Sequence, residues 1–165
     1  MALCLKKIVS GGQTGADRGA LTAARELAFQ TGGVAPKGWL TETGPEEALL
    51  RGFGLIECVQ SGYPARTRSN VVQSDGTLLV GPYDQGGSRL TFEIVTELKK
   101  PVFLIDLSNS RDFESDCGPV VAFREWIKRE QIQVLNVAGS RESENPGIAE
   151  FTRRFLLRAL REVSQ

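Results

Sequence analysis

Short apolar runs alternate along the chain with longer stretches whose apolar residues recur at helical spacing. The runs predict strands over residues 3–9, 55–60, 77–81, 102–106 and 133–138, with a short one near Val34. Between them, Ala16, Ala20, Ala23, Ala24, Leu27 and Ala28 keep a helical period, and so many small residues let a first helix sit close to a sheet. A second helix is expected over 88–100, stopped by Pro101, and a third over 120–130. The last begins at Asn145-Pro146, an N-cap followed by proline. On it Ile148, Phe151, Phe155, Leu156, Ala159, Leu160 and Val163 form one face, and Arg153, Arg154, Arg158, Arg161 and Glu162 the other. That basic face reads as solvated.

Strand followed by helix, repeated end to end, is the signature of a mostly parallel sheet covered by helices on both faces, an α/β three-layer fold. No repeat, low-complexity tract or linker interrupts it, so one domain is expected over 1–165. Residues 32–47, where Gly, Pro, Thr and Trp39 mix, take no clear element. In such a fold ligands bind outside the carboxyl ends of the strands.

Composition narrows the chemistry. There is no histidine, so Ser-His-Asp triads, imidazole acid–base steps and histidine-ligated metals are excluded. Cys4, Cys58 and Cys117 are isolated and odd in number, which supports neither a disulfide framework nor a thiolate metal site, and no metal ligand set is expected. Twenty basic residues balance twenty acidic ones, so no global field draws the chain to nucleic acid or an anionic membrane. Any anion site is local. The apolar start is too short for a signal sequence, and no run reaches membrane-spanning length, so a cytoplasmic location is expected.

Four segments after strands carry candidate chemistry. Ser10-Gly11-Gly12-Gln13-Thr14-Gly15-Ala16-Asp17 follows the first strand, and glycines opening a helix can cradle an anion on backbone N–H groups. It is neither a Walker A loop nor GxGxxG, and Thr14 with Asp17 can instead form a capping box. Gln85-Gly86-Gly87-Ser88-Arg89 repeats the arrangement after residues 77–81, at the same sheet edge. Glu93 lies farther along its helix, read either as an acid–base group near the cradle or as a solvated helix residue. Arg66 and Arg68, in a segment read as a loop with Asn70, are planar donors suited to phosphate, unless one pairs with Asp75 or a surface acid. Asn136, Ser140 and Arg141 form the last cluster.

With SGGQTGADRGAL, RTRSNV followed by SDGT, GGSRLTFE and NVAGSRES in that order, the chain resembles the molybdenum cofactor carrier family over nearly its whole length. The resemblance implies a Rossmann-like fold in the wider group that includes LOG-type phosphoribohydrolases and DNA-processing proteins. It implies a pterin-based molybdenum cofactor (molybdopterin), or otherwise a nucleotide, as ligand, and molybdoenzymes as recipients. Residue by residue, Gly11, Gly12, Gln13, Thr14 and Gly15 would face the ligand phosphate. Gly86, Gly87, Ser88 and Arg89 would complete the pocket, and Arg66, Arg68, Asn70, Ser140 and Arg141 would close it. The alternative is a LOG-like hydrolase cleaving the N-glycosidic bond of a nucleoside monophosphate, with Glu93 catalytic and Arg68 assisting. Here Arg89 and Leu90 replace the hydrolase pattern's internal Gly and Thr. A homo-oligomer is expected from the fold group, whereas nucleic acid is not an expected partner. Cys117 is the one loop thiol able to approach a bound metal.

Overall fold

A computed structural model describes residues 3–107, 113 and 118–161. The expectations placed on Cys117, Glu162 and Val163 therefore lie outside the described residues. Six strands form one sheet in the order β5-β2-β1-β8-β6-β7, with every pairing parallel. They are β1 (Lys7–Ser10), β2 (Gln30–Ala35), β5 (Leu55–Glu57), β6 (Gly76–Val80), β7 (Val102–Ile105) and β8 (Val134–Gly139). A two-residue antiparallel pair, β3 (Leu40–Thr41) and β4 (Gly44–Pro45), stands apart from the sheet, so the unassigned 32–47 stretch divides among the end of β2, a single 3-10 turn over Lys37–Trp39 and this hairpin.

Side chains alternate across the strands as the pleat requires. Ile8, Leu78, Val80, Leu135 and Val137 pack in one cluster with Phe123, Trp126, Phe155 and Leu156. These aromatic and leucine side chains come from α5 (Pro119–Arg129) and α6 (Ile148–Leu160), and Ala16, Ala20, Ala23 and Ala24 of α1 (Ala16–Glu26) join the same cluster on one face. The second face is covered by α3 (Tyr63–Val72) and α4 (Gly86–Glu97), through Val71, Ile94 and Val95. A third cluster joins Leu21, Ala35, Trp39, Leu50, Phe53 and Leu55 beneath the short α2 (Glu47–Gly52). Rossmann-like layering is therefore present as expected.

Two expectations need correction. The Arg66–Asn70 segment is not a loop but the body of α3, with Pro64 in its first turn. Likewise α6 is not capped by Asn145. Gly147, in the left-handed region, is the N-cap residue, and the Glu142 carboxylate accepts the Gly147 and Ala149 N–H groups. A negative side chain reaching back to free N–H donors satisfies them and complements the helix dipole.

Candidate functional site

All six strands run the same way, so the loops leaving β1, β8 and β6 meet at one edge of the sheet, where β8 separates β1 from β6. A cavity of about 250 Å³ opens there. Its floor is the end of β8, with Asn136, Val137, Ala138 and Gly139. One wall is the turn and helix after β1, through Gly11, Gln13 and Asp17, and another is α3, through Tyr63, Arg66, Thr67 and Asn70. The first turn of α4 closes the third side with Gly86, Gly87 and Ser88, and Arg141 and Glu144 line the rim.

The two Gly-Gly turns are not equivalent. Three donors of the first are already engaged: Gln13 N–H with Asp17 Oδ2 at 3.1 Å, Thr14 N–H with Gln13 Oε1 at 3.1 Å, and Ala16 N–H with the Ser140 carbonyl at 3.2 Å. Gly12 faces away from the cavity toward the Leu50 and Leu55 side chains. Gly15 is the N-cap of α1, and a Cβ built there would meet the Ser140 carbonyl oxygen at 2.3 Å. Its φ of +79° is one an L side chain rarely adopts. The Thr14–Asp17 capping box does not form; the Thr14 hydroxyl donates to Glu42 instead. This turn joins strand, helix and the loop after β8, and of its residues only Gly11, Gln13 and Asp17 reach the cavity.

The second turn is the open one. The intrahelical bonds of α4 start with Arg89 N–H on the Gln85 carbonyl, so the N–H groups of Gly86, Gly87 and Ser88 have no acceptor among the described residues. A Cβ on Gly86 or Gly87 would meet nothing within 4 Å, so the backbone faces open space.

Two polar side chains on the walls each leave one nitrogen without a partner among the described residues. Gln13 Nε2 and Arg66 Nε are buried with no hydrogen-bond partner among the described residues. Arg66 is only 12% exposed, and its Nη1 lies 3.7 Å from Asp17 Oδ2. Burial pushes the Asp17 carboxyl above the ordinary carboxylate range, outweighing the Arg66 guanidinium and the Gln13 N–H that pull it down. The Tyr63 ring lies within cation–π range of two guanidiniums, Arg66 at 5.4 Å and Arg141 at 5.6 Å.

Other candidates fall elsewhere. Arg68 pairs with Glu97 at 2.6 Å, and Arg89 with Glu93 at 2.8 Å, all largely exposed. Arg68 and Glu93 line a separate outer groove between α3 and α4. Glu93 is not in the cavity lining: it shares a face of α4 with Gly86 but lies seven positions on, about 10 Å farther along the helix axis. Asn70 reaches the cavity wall, but its amide clamps α3 to β2: Val34 N–H donates to Oδ1 at 2.8 Å and Nδ2 donates to the Val34 carbonyl at 3.1 Å. Asp75 accepts the Gln133 and Val134 N–H groups at the start of β8 and binds neither arginine. Ser140, Gly12, Thr14, Gly15 and Arg89 are outside the lining.

Sequence reasoning missed Asp17 and Tyr63 as cavity residues. The signal for Asp17 was an acid among alanines on the sheet-facing side of the first helix, where a solvated residue has no place. Among the described residues no group of three or more His, Cys, Asp or Glu is placed to hold a metal ion, and no helix is long and apolar enough to cross a membrane.

No curated protein matches the sequence. Among solved structures, the chain is similar to a Syntrophus aciditrophicus protein bearing the provisional name of molybdenum carrier protein. The two share 37% identity at a TM-score of 0.86, over 98% of each chain. An (E)-4-hydroxy-3-methyl-but-2-enyl diphosphate reductase aligns at 13% identity and a TM-score of 0.37, over 93% of this chain and 59% of its own, a level from which nothing follows. The family model of the circularly permutated YpsA SLOG proteins matches residues 8–160, and the chain belongs to that family.

Proposed function

We propose that this protein is a binding and carrier protein that holds a phosphorylated ligand, the pterin of the molybdenum cofactor or a nucleotide, in the cavity at the carboxyl edge of the sheet. The observation that carries this reading is the first turn of α4. Its first three N–H groups are without acceptors among the described residues, and Gly86, Gly87 and Ser88 line a cavity whose wall also holds the buried Arg66. Backbone donors at a helix N-terminus, in a cavity that a guanidinium makes locally positive, favour an anion of phosphate type. Gln13 lines the wall formed by the turn after β1 and adds an amide to the polar lining.

The name borne by the Syntrophus relative supports molybdenum cofactor as the cargo. Its dithiolene sulfurs ligate the metal, so the chain need supply no metal ligand of its own, and histidine is not required. Delivery would then be to molybdoenzymes. The hydrolase reading gains no support from Glu93 and Arg68, which stand in the outer groove.

Protein purified without oxygen and then denatured is expected to release pterin together with molybdenum, close to one of each per chain. Release of a nucleotide alone assigns the cavity to nucleotides. Release of neither, with no measurable affinity for inorganic phosphate or a nucleoside monophosphate, overturns the reading.

A further inference from the structure

The buried Asp17 lines the cavity, and a carboxylate has more acceptor positions than the Gln13 N–H and the nearby Ser10 hydroxyl can fill. It accepts one backbone hydrogen bond, from Gln13 N–H. Arg66 Nη1, at 3.7 Å, is beyond hydrogen-bond length, and the Ser10 hydroxyl, which also stands against the carboxyl, shares its proton with the Val137 carbonyl at 2.9 Å. The α1 terminus does not use the side chain as a cap, since its N-cap is Gly15. Buried polar groups are normally satisfied, so an acceptor short of donors on a cavity wall marks a place where a ligand supplies them.

Its neighbour is the complement. Arg66 is donor-only, carries an unpartnered Nε, and lies on the same wall. Together the pair presents donors beside two carboxylate acceptors. A planar ring that matches this order has a carbonyl, then a ring N–H, then an exocyclic amino group along one edge. That is the 2-amino-4-oxopyrimidine edge shared by guanine and the pterins. Adenine does not match, because its ring nitrogen would turn a lone pair toward the carboxylate.

We propose that Asp17 is the specificity-determining residue of this cavity, accepting the ring N–H and the 2-amino group of a 2-amino-4-oxopyrimidine while Arg66 donates to the ring carbonyl. The proposal rests on the reading of the cavity as an anion-ligand site. It adds which ring is selected, and by which atoms.

The test is equilibrium binding of four monophosphates, guanosine, inosine, adenosine and 6-hydroxymethylpterin, with inorganic phosphate as reference. The unmodified protein is expected to bind the guanosine and pterin compounds about tenfold or more tightly than adenosine monophosphate. Inosine monophosphate, which lacks the 2-amino group, should lose about tenfold against guanosine monophosphate. Whichever of guanine and pterin binds tighter identifies the natural source of the edge. In Asp17→Asn these preferences should collapse, with adenosine monophosphate and inorganic phosphate bound at least as tightly as by the parent, since a carboxylate has left the anion cavity; a merely structural role would weaken every probe alike. Equal binding of all four compounds by the unmodified protein overturns the proposal and leaves the anion site standing. Preferences that survive in Asp17→Asn overturn it as well. Absence of binding by every probe overturns both readings.

Discussion

Arg66 reaches Asp17 through the space that a side chain at residue 11 would fill: a Cβ built on Gly11 would lie 1.5 Å from Arg66 Nη1. The resulting pair, 3.7 Å apart, is an ion pair without a hydrogen bond, so the arginine offsets only part of what burial costs the carboxyl.

This sets a sign for stability against pH. Burial raises the Asp17 pKa above its ordinary 3.8, so between 3.8 and the raised value the folded chain holds a proton that the unfolded chain has released. The contribution of Asp17 is fully present below 3.8 and is lost as pH rises through the folded value. Glu42 and Glu46 have the opposite sign, because hydrogen bonds from Ser143 and Thr14 to the first and from Arg18 to the second hold both below their usual range. Asp17→Asn leaves those two in place. The stability difference, parent minus variant, is therefore expected to be largest in acid and to shrink as pH rises, read by urea titrations at stepped pH. A difference that grows with pH would contradict the account.

Gly15 is expected to tolerate no side chain. Gly15→Ala forces a Cβ against the Ser140 carbonyl at a left-handed φ and should cost about 2–4 kcal/mol, lowering Tm by about 5–10 °C. Gly87→Ala, where a Cβ meets nothing within 4 Å, should change stability by no more than about 0.5 kcal/mol. Thermal melts of the two variants separate a structural glycine from an open one.

Asn70→Ala removes an amide that satisfies both backbone groups of Val34 and also accepts the Gln73 Nε2 donor at 3.0 Å. Unpaired buried backbone groups are costly, and about 2–3 kcal/mol of destabilisation is expected in urea unfolding. Anion affinity at the α4 turn should be unchanged wherever the variant remains folded.

Much of the fold was written in local pattern. Most of the parallel strands lie in apolar runs, β2 (QTGGVA) excepted, and α1, α4, α5 and α6 bury enough of one face to show a period. In contrast α3 buries only Asn70 and Val71, and its arginines, serine and threonine read as loop. Missing that helix hid the placement of Arg66 opposite Asp17 and the turning of Arg68 to the outer groove, since both follow from helical spacing. The division of labour between the two Gly-Gly turns was also hidden. Gly12 and Gly86 look alike in sequence, but Leu50 and Leu55 pack against one and nothing stands against the other.

The central claim is that the open first turn of α4 holds the anionic group of the ligand, and Gly87→Asp tests it most directly. The new carboxylate would stand in open space at that turn, so the variant should fold like the parent while losing at least about tenfold in affinity for inorganic phosphate and for guanosine monophosphate. Arg68→Ala, in the outer groove, should bind both as the parent does. Phosphate binding by a folded Gly87→Asp protein at the parent's affinity would contradict the account.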